Sequence, residues 1–228
     1  MVHRPFWERL GNRYNLIKQA FSDHPNVSSV TAFRFALGLW GGMARVVYPE
    51  ETEGSEWRMY FNDVDENFFD VFEVDLIAGR NFSADIASDS SSAFILNETA
   101  VKELGWTDPL GKTFGFGPQK NMYGTVIGVV RDFHQDPLRE KIKPVVFCMR
   151  RHLFVHVGLK IRSNKIPETF DFLKKTWTQF VPERPLQYWF LDRELEKLRA
   201  KPPKNPKAGN TPLTRVLPAF FFLSKFTC

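Results

Sequence analysis

Asp132 and His134 are the residues of this chain best spaced to do chemistry together. They alternate along an extended run, so both side chains are expected on one face. An Asp–His pair is part of a hydrolytic triad, or two of the ligands of a metal. Either needs a third group, and the sequence identifies no nucleophile or further ligand for it. His152 and His156 also share a face of a period-two run, but a zinc site needs two more ligands and none lies nearby. Gly111-Lys112-Thr113 resembles the end of a phosphate-binding loop. That loop requires glycine at position 106, which is Trp106, and Pro109 interrupts the approach. Gly115 with Gly117, and Gly124 with Gly128, open no helix, so they make no dinucleotide fingerprint. Glu98 with Glu103, or Asp63, Asp65 and Asp70, could be cast as paired carboxylates. With 26 acidic residues in 228, such pairs arise by chance. The reading is of a non-enzyme, with no catalytic, cofactor-binding or metal-ligating residue and no cofactor.

Cys148 lies in the apolar run VVFCM and reads as a small core residue, and Cys228 is the last residue. Two thiols so placed make neither a disulfide framework nor a metal site. The net charge of +5 invites a nucleic-acid reading, but Arg199, Lys201, Lys204, Lys207, Arg215 and Lys225 carry more than all of it. They sit in a proline-rich tail rather than clustered on a folded element, so no nucleic-acid partner is expected. The start, MVHRPFWERLGNRY, has no following apolar stretch of a signal peptide. Leu217 to Phe226 is far shorter than the roughly 20 residues a transmembrane helix needs.

The elements that position these residues read as follows. Phe6, Leu10, Tyr14, Ile17 and Phe21 recur at three- and four-residue steps and predict a helix over 5–22. Strands are predicted at 27–35, 44–48, 57–62, 74–78, 93–96, 112–116, 123–133, 152–162 and 186–191. Asp65 is placed as the N-cap of a helical turn over 65–71. Asn97 caps a helix that ends at Gly105. Asp108 to Gly111 fits a type I turn. Residues 85–92 read as a polar surface loop. Pro167 opens a helix whose buried stripe is Phe170, Leu173, Trp177 and Phe180. Another helix begins at Asp192. Five prolines fall between Ala200 and Pro218, and residues 199–228 read as a disordered tail.

The fold class is α+β. Residues 1–35 and 145–198 are read as one discontinuous α/β unit, and 36–144 as an inserted β-rich unit.

Three segments in fixed order, FFDVFEVDLIAGRNFS over 68–83, AFILNETAVKELGWTDPLGK over 93–112 and YGTVIGVVRDFHQDPL over 123–138, resemble the periplasmic core domain of MacB/FtsX-type ABC transporter permeases. The resemblance runs from about residue 10 to 198. It implies a porter-like subdomain made from both ends of the segment, with a β-rich subdomain inserted. It also implies a transmembrane helix and one porter strand ahead of residue 1, and a second transmembrane helix after Leu198. The missing strand would leave an exposed sheet edge open to self-association. On this reading Gly79, Asn97, Gly105, Pro109 and Gly111 hold turns and caps and form no site.

The implied function is that of an extracytoplasmic domain at the periplasmic side of the bacterial inner membrane. It would couple ATP-driven motion of the membrane helices to efflux, extraction or signalling. The implied partners are a separate ATPase, a second permease copy, and a periplasmic cargo or adaptor. The rival reading is a stand-alone peptide- or lipid-binding module that uses the aromatic surface at Trp40 or Trp106. A metal-dependent hydrolase has only Asp132, His134 and the two later histidines behind it.

Overall fold

The computed structural model describes residues 6–36, 43–49, 57–116, 122–133, 141–162, 165–182, 185–191 and 220–224. The chain opens with helix α1 (Phe6–Ser22), on which Tyr14, Ile17 and Phe21 are fully buried. Their spacing keeps them on one stripe. Strand β1 (Val27–Phe33) follows and pairs antiparallel with β9 (His156–Ile161). Two further strands, β10 (Gln187–Phe190) and β11 (Phe220–Ser224), complete a four-stranded sheet in the order β1-β9-β11-β10. Helix α5 (Ile166–Phe180), with proline in its first turn, lies beside α1 on this sheet. Ile17, Phe21, Val30, Val157, Leu159, Ile161, Leu173 and Trp177 form the core between them. Arg13 of α1 donates to the Phe180 carbonyl at 2.8 Å and ties the two helices at one end.

Between β1 and β9 the chain builds a second sheet. Its strands are β2 (Met43–Pro49), β3 (Trp57–Asp63), β4 (Leu76–Gly79), β5 (Ala93–Asn97), β6 (Thr113–Phe116), β7 (Met122–Val130) and β8 (Val145–Cys148). The order is β4-β7-β5-β8-β3-β2-β6, and β6 pairs back onto β7. The sheet therefore closes. β6 takes the first half of one β7 edge, at 122–125, and β4 takes the second half, at 128–130. Six strands make a ring, and closure removes their free edges.

Period two assigns the two faces. Met59, Phe61, Phe94, Leu96, Phe114, Phe116, Val146 and Cys148 fill the inside of the ring. Helix α4 (Glu98–Leu104) adds Ala100 and Leu104 to that core. Ala93, Ile95, Val145 and Phe147 point the other way, onto Phe68, Phe69 and Val71 of the short helix α2 (Phe68–Val71).

Several expectations shift. The predicted strand 152–162 starts later. Arg151–Leu153 forms a 3₁₀ turn, and β9 begins at His156. The alternation that remains is Val157, Leu159 and Ile161, all buried. β8 falls on the α/β side of the boundary read at 145, yet it pairs with β3 and β5 and belongs to the closed sheet. The loop over 85–92 holds helix α3 (Asp89–Ser92) and a buried carboxylate, Asp89. The turn after α4 is set one residue later than expected. The Lys112 N–H donates to the Pro109 carbonyl and Gly111 has φ +80°, which is a type II arrangement rather than type I. Phe220–Ser224 is a strand, contrary to a tail disordered throughout. The predicted helix from Asp192 lies outside the described residues.

Candidate functional site

The two sheets meet along a polar seam on residues 62–66, where β3 runs out of the ring. The backbone there is bonded on both sides. The Val64 N–H donates to the Cys148 carbonyl at 2.8 Å on the ring side. On the other side the Arg34 N–H donates to the Asp63 carbonyl at 2.8 Å, and the Asp65 N–H to the Ala32 carbonyl at 2.9 Å. The Asn62 side chain exchanges two bonds with the Phe35 backbone, each 3.1 Å. The Val155 N–H closes the seam by donating to the Phe33 carbonyl at 3.0 Å.

Two carboxylates sit inside this seam with no exposure, Asp63 and Asp65. Arg150 donates to Asp63 from Nε (2.5 Å) and Nη2 (3.2 Å), and Arg34 approaches the same carboxylate at 3.4 Å. Burial opposes the Arg150 charge, but the charge and hydrogen bonds of Asp63 raise its pKa above the ordinary value.

Asp65 accepts from the Tyr14 hydroxyl, from Thr31 Oγ1 at 2.5 Å, from Lys18 Nζ at 3.2 Å and from the Asn67 N–H at 3.1 Å. Burial raises its pKa, partly offset by Lys18 and the two hydroxyls. Burial, then the Asp65 charge, pushes the Tyr14 phenol well up. Next door, Glu66 binds Lys18 at 2.7 Å. Burial works against its charge, but Lys18 holds its pKa below the usual carboxylate value.

Asp65 is thus not the N-cap expected of it. α2 starts at Phe68 after Asn67, and no side chain caps it. Asp65 instead gathers α1, β1 and the end of β3 on one carboxylate. Sequence reasoning missed this site. The only available signal was a run of acidic residues, which usually marks a solvated surface.

Asp132 accepts from Asn97 Nδ2 (2.8 Å), the Thr99 N–H (3.0 Å) and Thr99 Oγ1 (2.7 Å). Its own N–H donates to Glu98 at 2.8 Å. Both acids are spent on fastening the end of β7 to the start of α4. Asn97 caps that helix as expected, accepting from the Ala100 N–H at 3.1 Å. His134 lies outside the described residues, as do Trp40, Gly117 and Cys228. His152 is exposed in the 3₁₀ turn, whereas His156 sits on β9 with its ring 5.6 Å from that of Phe33, so the two do not share a face. Asp70 and Glu103 are exposed. Cys148 is buried inside the ring, and burial pushes its thiol far above the range in which a thiolate forms. An open depression of about 460 Å³ is lined by Trp106, Asp108, Leu110, Lys112 and Thr113. Trp106 itself packs on the ring core, with Lys112 Nζ 5.6 Å above its indole. Among the described residues no three His, Cys, Asp or Glu side chains gather to hold a metal. No described helix is long and apolar enough to cross a membrane.

The seam joins the two sheets through buried charge. Residues 6–147 match the family described as the MacB-like periplasmic core domain. The chain belongs to that family.

Solved structures agree with the MacB-like fold. The periplasmic region of MacB from Actinobacillus actinomycetemcomitans superposes with a TM-score of 0.59 at 16% identity, covering 83% of this chain and 84% of that one. A domain of a putative permease protein from Porphyromonas gingivalis gives 0.52 at 20% identity, covering 71% and 74%. The extracellular domain of the noncanonic ABC-type transporter YknZ from Gram-positive bacteria gives 0.53 at 17% identity, covering 72% and 81%. No curated protein matches. At these identities the likeness is one of fold. The α+β class expected for a MacB-like core domain is the one observed.

Proposed function

We propose that this MacB-like domain stands outside the cytoplasmic membrane of a bacterium as part of an ABC permease, without catalytic work of its own. It passes ATP-driven motion of the membrane helices to a cargo or adaptor outside. The ATP is hydrolysed by a separate ATPase, and a second permease copy completes the machine. The domain divides into a porter-like unit, made of α1, β1, β9, α5, β10 and β11, and the closed β-rich insertion.

One observation carries this reading: the seam at Asp63 and Asp65. A domain that transmits displacement needs two stiff bodies and a defined joint. Here both bodies have dense aromatic cores, and the joint is short, buried and ionic. Such pairs favour one geometry strongly, because any other leaves charge without partners.

The test uses the parent gene with an epitope inserted at 85–87, an exposed stretch. Externally added protease should remove the epitope from spheroplasts, and the detergent-solubilised protein should bring down an ATPase subunit. An epitope reachable only after the membrane is opened, or a purified permease with no ATPase attached, overturns the proposal.

A further inference from the structure

The end of the ring next to the seam carries more positive charge than the described residues balance. Arg34, Arg45 and Arg150 gather there around one carboxylate, Asp63. Arg150 takes both Asp63 oxygens, and Arg34 stands 3.4 Å from one of them. Arg45 is left over.

Arg45 lies on β2, two residues before the buried Val47, so the period of two turns both side chains into the ring. Its guanidinium carbon is 6.0 Å from the Phe61 ring centre and 5.7 Å from that of Phe116. Arg150 stands 5.4 Å from the same Phe116 ring, so two like charges share one aromatic group. Stacking engages the face of a guanidinium and none of its N–H donors. Among the described residues the Arg45 side chain makes no hydrogen bond or ion pair, and its Nε is buried without an acceptor. Burial, then the Arg150 and Arg34 charges, pushes its pKa down, and Asp63 offsets them only in part. The stretches that lead into β2 and from β6 to β7, 37–42 and 117–121, hold no Asp or Glu to supply the counter-charge.

A half-buried cation without a partner is costly, and a guanidinium offers paired donors spaced for two oxygens of one group. Arg45 is partly exposed, so an anion can reach it from the ring's end. We propose that Arg45, together with Arg34 and Arg150, binds a small oxyanion, a phosphate or carboxylate group, at the seam end of the ring. The anion takes the Arg45 donors, balances the excess charge and stabilises the folded domain.

The test melts the full chain and its Arg45→Met variant, which keeps an apolar stem against the two rings. Sodium phosphate or sodium acetate is added at low millimolar concentration to chloride buffer at constant ionic strength. At about ten times the dissociation constant the unaltered chain should melt about 3–6 °C higher. The rise should saturate and be missing from the variant, which separates binding from the general effect of phosphate on exposed surface. A rise with phosphate alone assigns a phosphate group, and one with acetate alone a carboxylate. No saturating rise with either anion overturns the proposal, and so does an equal rise in the variant.

Amide chemical shifts of the unaltered chain give a second readout that does not depend on the variant folding. Titration with the same two salts should move the resonances of Arg45, Phe61 and Phe116 with one saturating curve. Shifts confined to other residues, or none at all, overturn the proposal.

Discussion

The Arg150 guanidinium grips the Asp63 carboxylate as a fork, Nε to Oδ1 at 2.5 Å and Nη2 to Oδ2 at 3.2 Å, with Asp63 wholly buried and Arg150 nearly so. Arg150 comes just after β8 and Asp63 ends β3, so the fork clasps two parallel neighbours where they leave the ring. Asp63→Ala strands the arginine and is expected to cost about 3–5 kcal/mol in urea unfolding. Replacing the pair together, Asp63→Leu with Arg150→Met, should cost much less than the sum of the two single changes. A double change that costs as much as the two single changes added together would show that the two do not act as a unit.

Asp65 should give a pH signature of the opposite sign to most acids. Its pKa is raised in the fold by burial, so the native state holds its proton more tightly than the unfolded chain does. The stability it contributes is full below the unfolded value of about 4 and is lost as pH rises through the native value. Asp65→Asn stays neutral at every pH. Its stability relative to wild type should therefore improve from about pH 4 and level off above the native value, measured by urea midpoints. A difference that stays flat with pH would rule the assignment out.

Asp89 behaves the other way. Arg80 donates to it from both terminal nitrogens, at 2.6 and 2.8 Å, and the Ser83 N–H adds a third bond at 2.9 Å. Burial raises its pKa, but these donors outweigh burial and leave it lowered. The stability it provides is present above the unfolded value of about 4 and disappears as pH falls through the native one. Because Arg80 is partly exposed, Asp89→Asn should cost only about 1 kcal/mol at neutral pH, and the difference should shrink to nothing in acid. Thermal melts at pH 7 and at pH 3 would check this.

Two glycines with the same backbone should respond differently to alanine. Gly79 and Gly105 have φ of +72° and +69°. A Cβ at Gly105 meets nothing within 4 Å, so Gly105→Ala pays only the left-handed penalty, about 1–2 kcal/mol. At Gly79 it falls 2.2 Å from the Ile127 carbonyl oxygen, and β4 cannot stay on β7 without moving. Gly79→Ala should cost clearly more, enough to loosen β4 in amide exchange. Equal losses at the two positions would refute the packing argument.

Local pattern revealed much of this fold. The stripe of Tyr14, Ile17 and Phe21, the Asn97 cap, the Gly105 stop and the proline at the head of α5 all act within a few residues, where propensity and capping decide. Ring closure was invisible because it depends on β6 and β4 sharing one edge of β7, a long-range pairing with no local mark. The seam was hidden for the same reason. Asp65 opens a helical turn in the local pattern, and only Tyr14, Lys18 and Thr31 from elsewhere in the chain show its true role. Asp132 likewise takes its partners, Asn97 and Thr99, from a distant part of the chain.

Phe33 and His156 are register partners at the end of the β1–β9 pair, and Val155 bonds back to Phe33. The two strands are therefore the arms of a hairpin, and residues 34–155, ring and all, are its loop. Seen this way the ring is a head on a short neck. A tight turn joining Phe33 to His156 satisfies the same arms. Such a turn would also remove Asp65 and Phe154, the partners of Tyr14, Lys18 and Thr31, so head and neck share one support.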